Sequence, residues 1–256
     1  DLFIHLHSSS GSSDYRFSVN STLAGFLYKK ITFLGKAAHA AVSPDEGINA
    51  LNMHNLFLNA VNMLRETFKE EDMVRVHGII AKGGDTVNSI PEEVIYECYI
   101  RSANPNYLLE LNEKISNAAR CCSKALGGNC IIEDIPGYLP LIPSEPLSKV
   151  IYENMLDYTD ASKIKCHEKS IAAGDIGDVS LFKPVTQYGY TGFEGRVHGN
   201  NFKVADPDEV YIVQAKIVAS SVIDLLTDKS LVDDIVNRFK PKMTYQQYLN
   251  YLNKGE

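Results

Sequence analysis

The stretch "MVRVHGIIAKGGDTVNSIPEEVIYECYIRS", residues 73–102, reads as two strands joined by a polar turn. The first run closes on Gly83-Gly84. The second, "EVIYECYIRS", is rich in β-branched and aromatic residues, and the Gly, Asp, Asn, Ser and Pro between them are turn formers. The spacing predicts an antiparallel pair. Upstream, "KKITFLGK" is a strand ending at Gly35. It is followed by "DEGINALNMHNLFLNAVNMLRETF", where Ile48, Leu51, Leu56, Leu58, Val61 and Leu64 recur at helical spacing and Pro44, Asp45 and Glu46 suit a helix start. Downstream, a helix starting near Asn104-Pro105 stops at Gly127-Gly128, and "NCIIEDIPGY" is a last strand. Strand–helix–strand–strand–helix–strand is the ferredoxin-like order, and it fills residues 26–140.

The flanks follow a different rhythm. "DLFIHLHSSS" begins the chain with a buried strand, Leu2 to Leu6, that runs into a polar Ser/Gly loop. A core strand without lead-in, and numbering that starts at Asp1 without Met, suggest a preceding N-terminal portion. After Pro143 come a helix (144–158), a polar turn "GDIGDVSLF", a short strand "VTQYGYTGF", a long helix from Asp206, and a helical tail with Leu231, Ile235 and Phe239 on one stripe. Alternating helices and strands argue for an α/β domain. Residues 1–25 and 141–256 are therefore expected to form one α/β domain, with residues 26–140 inserted in it.

Composition narrows the function classes. A net charge of −7 argues against nucleic acid as a partner. No apolar run approaches the roughly 20 residues that span a bilayer, which argues against a membrane. The five Cys lack metal-ligand spacing and form no even framework, which suggests reduced thiols and a cytoplasmic setting.

The histidines carry most of the chemical information. His7 closes a strand and faces a loop, and strand ends of α/β sheets are where ligands bind. His5 shares its face, so either could be the functional one, and a plain surface role is the competing reading. His198 lies in the polar loop "GRVHGNNFKVADPDEV", where exposure is commoner than ligation. His39 sits among small residues in "GKAAHAAVSPDEGINAL", a segment able to approach another surface closely. His54 and His77 read as structural or surface residues, and His167 has no evident partner. Arg101 could hold a carboxylate in a bidentate pair with Asn88 beside it. Taken alone, the two fit a solvated hairpin at least as well.

In order and spacing, "DLFIHLH", "FLGKAAHAAVSPDEGINAL", "VRVHGIIAKGGDTVNSIPEE", "YIRS", "GDIGDVS" and "HGNNF" resemble the aminoacylase/carboxypeptidase family of co-catalytic zinc hydrolases, metallopeptidase family twenty. The likeness runs over nearly all of residues 1 to 240. It is nearest to the amidohydrolase branch of aminobenzoyl-glutamate hydrolases and β-alanyl-lysine type dipeptidases. The resemblance implies a zinc aminopeptidase-like α/β catalytic domain, its N-terminal part absent here, with an inserted ferredoxin-like lid that makes a homodimer. It implies that His7 and His198 are metal ligands and that His39 reaches into the partner's site to polarise the scissile carbonyl. Asn88, Arg101 and Asp175 would hold substrate. The substrates would be N-acyl amino acids or small dipeptides. Two zinc ions about 3.5–4 Å apart, with manganese or cobalt as alternatives, would activate a bridging water. A glutamate would take its proton. The resemblance implies, too, that His7 and His198 face a common cleft and that His39, Asn88 and Arg101 meet one substrate.

Two departures stand out. The family's His-x-Asp or Cys-x-His segment and its Glu-Glu pair are not in this sequence. Relatives of the branch read Gly-Ser-Thr-Asp where this chain reads "AAGD", residues 172–175. The alternative expectation is a non-catalytic binding or dimerisation protein that keeps the fold without a complete metal site.

Overall fold

The computed structural model describes residues 1–9 and 14–253. Most of the Ser/Gly loop expected after the first strand (residues 10–13) and the end of the helical tail lie outside the described residues. In chain order the elements are β1 (Phe3–Ser8), β2 (Phe17–Val19), β3 (Thr22–Leu23), β4 (Gly25–Leu34), α1 (Ala50–Leu64), β5 (Arg75–Lys82), β6 (Glu93–Ser102), α2 (Pro105–Ala125) and β7 (Asn129–Pro136). They continue with α3 (Glu145–Met155), β8 (Ile164–Cys166), β9 (Lys169–Ser170), α4 (Ile176–Ser180), β10 (Val185–Tyr190), β11 (Phe193–Glu194), β12 (Lys203–Val204), α5 (Gln214–Thr227), α6 (Lys229–Arg238) and α7 (Tyr245–Leu252). They fall into two compact units, Asp1–Leu23 with Leu141–Thr244 and Ala24–Pro140 with Tyr245–Glu256.

In the first unit, β1 pairs in parallel with β10, from Phe3 opposite Val185 to Ser8 opposite Tyr190. The four-stranded sheet runs β1-β10-β2-β8. The first strand and the last third of the chain thus share one sheet. Phe17, Val19, Ile164 and Tyr188 on the strands bury against Ile151 and Met155 of α3 and Ile217 of α5. The segment Asp208–Thr227 is long and apolar enough, by length and composition, to cross a membrane, contrary to expectation. Here Ile217 is fully buried in the core of the sheet, and Glu209 pairs with Arg16.

In the second unit, four antiparallel strands run β5-β6-β4-β7. This is the expected strand–helix–strand–strand–helix–strand arrangement, with α1 and α2 on the sheet. Inward residues of β4 are Leu27, Lys29, Ile31 and Phe33, all fully buried. Lys29 holds its place by donating to Ser116 (2.7 Å) and pairing with Asp134, whose other oxygen accepts from Asn112 (2.6 Å).

Three details differ from the sequence reading. First, α1 starts at Ala50, and Pro44–Glu46 is one separate 3-10 turn. Lys36 and Ile48 exchange backbone hydrogen bonds (2.8 and 2.9 Å), which keeps Ile48 extended, and Asn49 then caps the amides of Leu51 and Asn52. A Cβ on Gly35 would come 2.0 Å from the Ile48 carbonyl oxygen, so only glycine permits this approach. Second, the buried stripe of α1 is Ala50, Met53, His54, Phe57 and Val61; Leu51 and Leu58 are half-buried and Leu56 is exposed. Third, α7 belongs to the second unit. Tyr251 is buried there and its hydroxyl donates to the Gly137 carbonyl (2.8 Å) just beyond β7.

Candidate active site

Because β1 and β10 are parallel, their carboxyl ends lie side by side. A cleft of about 570 Å³ opens there, lined by His5, His7, Ser8, Ser9, Ser18, Ser21, Ser170, Asp175, Gln187 and Val197 among others. Strand alternation puts His5 and His7 on one face, and the register sets Gln187 opposite His5 and Gly189 opposite His7. His5 Nδ1 lies 3.1 Å from the Gln187 side-chain oxygen. His7 Nδ1 lies 2.8 Å from the Ser8 carbonyl oxygen. A carbonyl can only accept, so Nδ1 of His7 carries the proton and the Nε2 lone pair is available as a ligand or base. Asp175 stands at the start of α4 and is exposed to the same cleft. Among the described residues the lining contains the carboxylates of Glu168 and Asp175 and neither Lys nor Arg.

His198 does not join that lining. It sits in the loop between β11 and β12 with a left-handed backbone (φ 65°), exposed, in a turn closed by Gly199 N–H donating to the Arg196 carbonyl (2.8 Å). Its neighbour Val197 is the residue that reaches the cleft. The common cleft thus takes His7 and Asp175 and only the shoulder of the 198 loop. Gln187 and Ser18 were missed by the sequence reading, although the alternation in "VTQYGY" already puts Gln187 and Gly189 on one face.

The second unit carries the other candidates. The loop after β4 runs beside residues 88–90: Ala40 N–H donates to the Asn88 carbonyl (2.9 Å), Ile90 N–H to the Ala38 carbonyl (2.9 Å), and His39 bridges Ser89. His39 and Asn88 are therefore held together at one end of the sheet. His39 Nδ1 accepts from the amides of Ala41 and Val42 (both 3.2 Å). That fixes the proton on Nε2 and makes this exposed imidazole a donor. Arg101 is elsewhere. It pairs in register with Phe26 at the beginning of β4, whereas Leu34 at the end of β4 faces Glu93. At about 3.3 Å per residue, Arg101 is roughly 26 Å along the strand from the His39 end. Its guanidinium lies 5.5 Å from the Phe26 ring centre and 5.6 Å from that of Tyr99. The expectation that His39, Asn88 and Arg101 meet one substrate fails within one chain, because the strand between them is longer than a dipeptide.

His167 has a partner after all. The Asn20 side-chain nitrogen lies 3.1 Å from its Nδ1, and both residues have left-handed backbones. They line a second cleft on the first unit with Cys166, whose thiol burial pushes up in pKa.

Residues 22–122 match the peptidase dimerisation domain of family M20. The chain carries an M20 dimerisation domain. Over 230 residues it is 30% identical to the Xaa-Arg dipeptidase of Mus musculus, taking in 86% of this chain and 52% of that protein. Its match to the Homo sapiens Xaa-Arg dipeptidase is also 30%, over 232 residues. The chain therefore spans about half the length of the curated relatives it matches. Among solved structures it is similar to an aminobenzoyl-glutamate utilization protein from Klebsiella pneumoniae (TM-score 0.65, 13% identity, 88% of this chain and 55% of that one). It is also similar to a tripeptidase from Staphylococcus aureus (TM-score 0.59, 19% identity, 89% and 56%). At these identities the likeness is one of fold.

M20 peptidases are generally metal-dependent. A catalytic zinc takes three protein ligands and an open position. His7 has the right tautomer for one of them. Among the described residues, however, no three His, Cys, Asp or Glu side chains come together to hold a metal ion. The described residues do not by themselves bring together a metal centre.

Proposed function

We propose that this chain serves an M20 hydrolase that cleaves the amide bond of N-acyl amino acids or small dipeptides. The observation that carries the reading is the cleft at the carboxyl ends of β1 and β10, which His7 and Asp175 both line, in a chain 30% identical to Xaa-Arg dipeptidases. Hydrolysis needs an activated water, and a zinc-bound one in this reading. His7 and Asp175 would hold the metal that supplies that activation only with ligands beyond those in this cleft, which His198 does not line. His39 would contribute its Nε2–H to the carbonyl oxygen of the scissile amide, with Asn88 beside it. Arg101, at the far end of the same sheet, would hold a different substrate molecule. A homodimer formed through the lid satisfies both, because each substrate would then meet His39 and Asn88 of one chain and Arg101 of the other. None of the five cysteines forms a disulfide, which fits a reducing, cytoplasmic setting that cell fractionation would check.

The lack of a three-ligand set among the described residues favours a second reading, a non-catalytic dimerisation or binding protein. Purified protein should be screened against N-acyl amino acids and dipeptides with zinc, manganese or cobalt, and again with a chelator. Metal-dependent release of the free amino acid supports the hydrolase. A stable dimer without bound metal or turnover supports the second reading. In an active preparation, His39→Ala should lower turnover by roughly a hundredfold or more, as loss of an oxyanion donor does, with metal content unchanged. Mixing His39→Ala with His7→Ala subunits should restore part of the activity. No rescue, with subunit exchange verified, would sink the shared-site arrangement.

A further inference from the structure

The hairpin β11–β12 is only two residues long on each side, with Phe193 opposite Val204 and Glu194 opposite Lys203. So short a ladder does not hold its own position, and a two-stranded ribbon is marginal alone. Something at its base has to aim it. Both legs are fastened there. Ala205 and Asp206 donate their amides to the Gly192 carbonyl (2.8 and 3.0 Å), and Thr191 donates its amide and hydroxyl to the Arg16 carbonyl (3.1 and 3.2 Å).

The two fastenings are joined through one carboxylate. Asp206 accepts the amide of Glu209 (3.0 Å), and Glu209, 6% exposed, receives the guanidinium of Arg16, with Nε 3.0 Å from each carboxylate oxygen. The Arg16 guanidinium also donates to the Tyr158 carbonyl, while Gln214 donates to the Glu209 carbonyl (2.9 Å). Glu209 lies in a single wide π-helical stretch, Asp208–Val213, before α5. Such turns are rare and tend to occur where a helix serves a site. At Gly192 (φ 106°) a Cβ would meet Val210 at 2.8 Å and Glu209 at 3.0 Å, so this stretch packs directly on the hairpin base. Bonds thus close a ring from Arg16 through Glu209, Asp206, Gly192 and Thr191 back to Arg16.

We propose that the Arg16–Glu209 pair is a positioning device: it aims the 193–204 hairpin so that Val197 reaches the His7 cleft, and it fixes where the adjacent His198 stands. With Glu209 buried and the Arg16 side chain one-third exposed, the pair is a poor source of stability compared with apolar packing, and a bidentate guanidinium–carboxylate contact fixes geometry. That combination fits a part kept for placement. The assignment of the cleft rests on the hydrolase reading, but placement of the hairpin can be measured without turnover.

The test is amide hydrogen exchange on the whole chain, resolved by residue. Glu209→Gln keeps the shape and removes the charge. It should speed exchange at the bonded amides of Thr191, Ala205 and Asp206 by at least about tenfold, while amides of β1 and β10 stay as they were. The Val197 methyl and His198 ring resonances should shift with them. Arg16→Lys keeps the charge, loses the fork, and should give the same pattern more weakly; it also serves if Glu209→Gln does not fold. An unchanged hairpin in both variants overturns the proposal. So does a uniform rise in exchange across the first unit, which would mean that the pair only adds stability. Loss of hydrolysis with no change in exchange would count against the device, while a loosened hairpin in a protein without hydrolytic activity would count only against the hydrolase reading.

Discussion

The two four-stranded sheets are built on opposite plans. In the second unit, the strands are eight to ten residues long, follow one another in the chain apart from their helices, and pair only antiparallel. In the first unit, β1 and β10 have six residues each and β2 and β8 three each, and β1 pairs with a partner more than 170 residues away. A long strand announces itself by its own alternation. A three-residue strand exists only because neighbours supply its hydrogen bonds. The buried ion pairs follow the same division. Lys29–Asp134 stands in the core of the regular sheet with Lys29 fully buried, whereas the Arg16 side chain is one-third exposed at the margin of the irregular one.

Removing Lys29 should have the largest effect. Burial lowers its pKa, against the pull of Asp134, so the charge stays in the core only while its partner is present. Lys29→Ala leaves the Asp134 carboxylate without its cation, and breaking a buried pair in this way costs about 3–5 kcal/mol. Urea unfolding with hydrogen exchange should show the loss in β4 to β7 and spare β1 and β10. An equal loss from Arg16→Ala would erase the contrast between the two sheets.

A smaller, pH-dependent effect is expected at His54. The ring is fully buried against Phe33 and Tyr96, and neither nitrogen has a hydrogen-bond partner among the described residues. Burial pulls its pKa below the ordinary 6.5, with the Asn55 side chain opposing. Below that pH the unfolded chain takes up the proton and the folded one resists it. The stability that comes from keeping His54 neutral is therefore complete above about 6.5 and declines as pH falls through that value toward the lowered one. The urea midpoint of the second unit should fall between about pH 7 and 5, and His54→Leu should flatten that slope. A slope unchanged by His54→Leu would assign it to other groups.

The smallest effect belongs to Tyr188 in the other sheet. Its hydroxyl is buried without a hydrogen-bond partner among the described residues. Tyr188→Phe removes the unsatisfied group and keeps the ring, so stability should stay within about 1 kcal/mol, in favour of the variant. A clear loss in thermal denaturation would show that the hydroxyl is bonded in solution.

Much of this layout was legible beforehand. The four strands of the second unit with α1 and α2 could be read from period and turn residues, and Asn104-Pro105 and Gly127 marked the ends of α2 correctly. What failed was phase. Apolar residues on α1 are too evenly spread for the sequence to choose a stripe, so Leu56 looked inward and His54 fitted a structural or a surface role alike. Only the sheet beneath, with Phe33 and Tyr96, makes a pocket for the His54 ring. Lys29 could have been caught, because it falls in step with Leu27, Ile31 and Phe33.

The candidate site divides in the same way. The sequence by itself determined which side chains are available: His7 at a strand end, Asp175 in a polar turn, and His39 in a loop of small residues. Residue type and local spacing are properties of the chain, and they carry that far. Tertiary structure alone decided who meets whom. Parallel pairing of β1 with β10 brought Gln187 beside His5, and the register of β4 with β6 set Arg101 at the opposite end of the sheet from His39. Pairing register depends on hydrogen bonds between residues far apart in the chain, and a shift of one position turns every side chain to the other face. No local pattern encodes it.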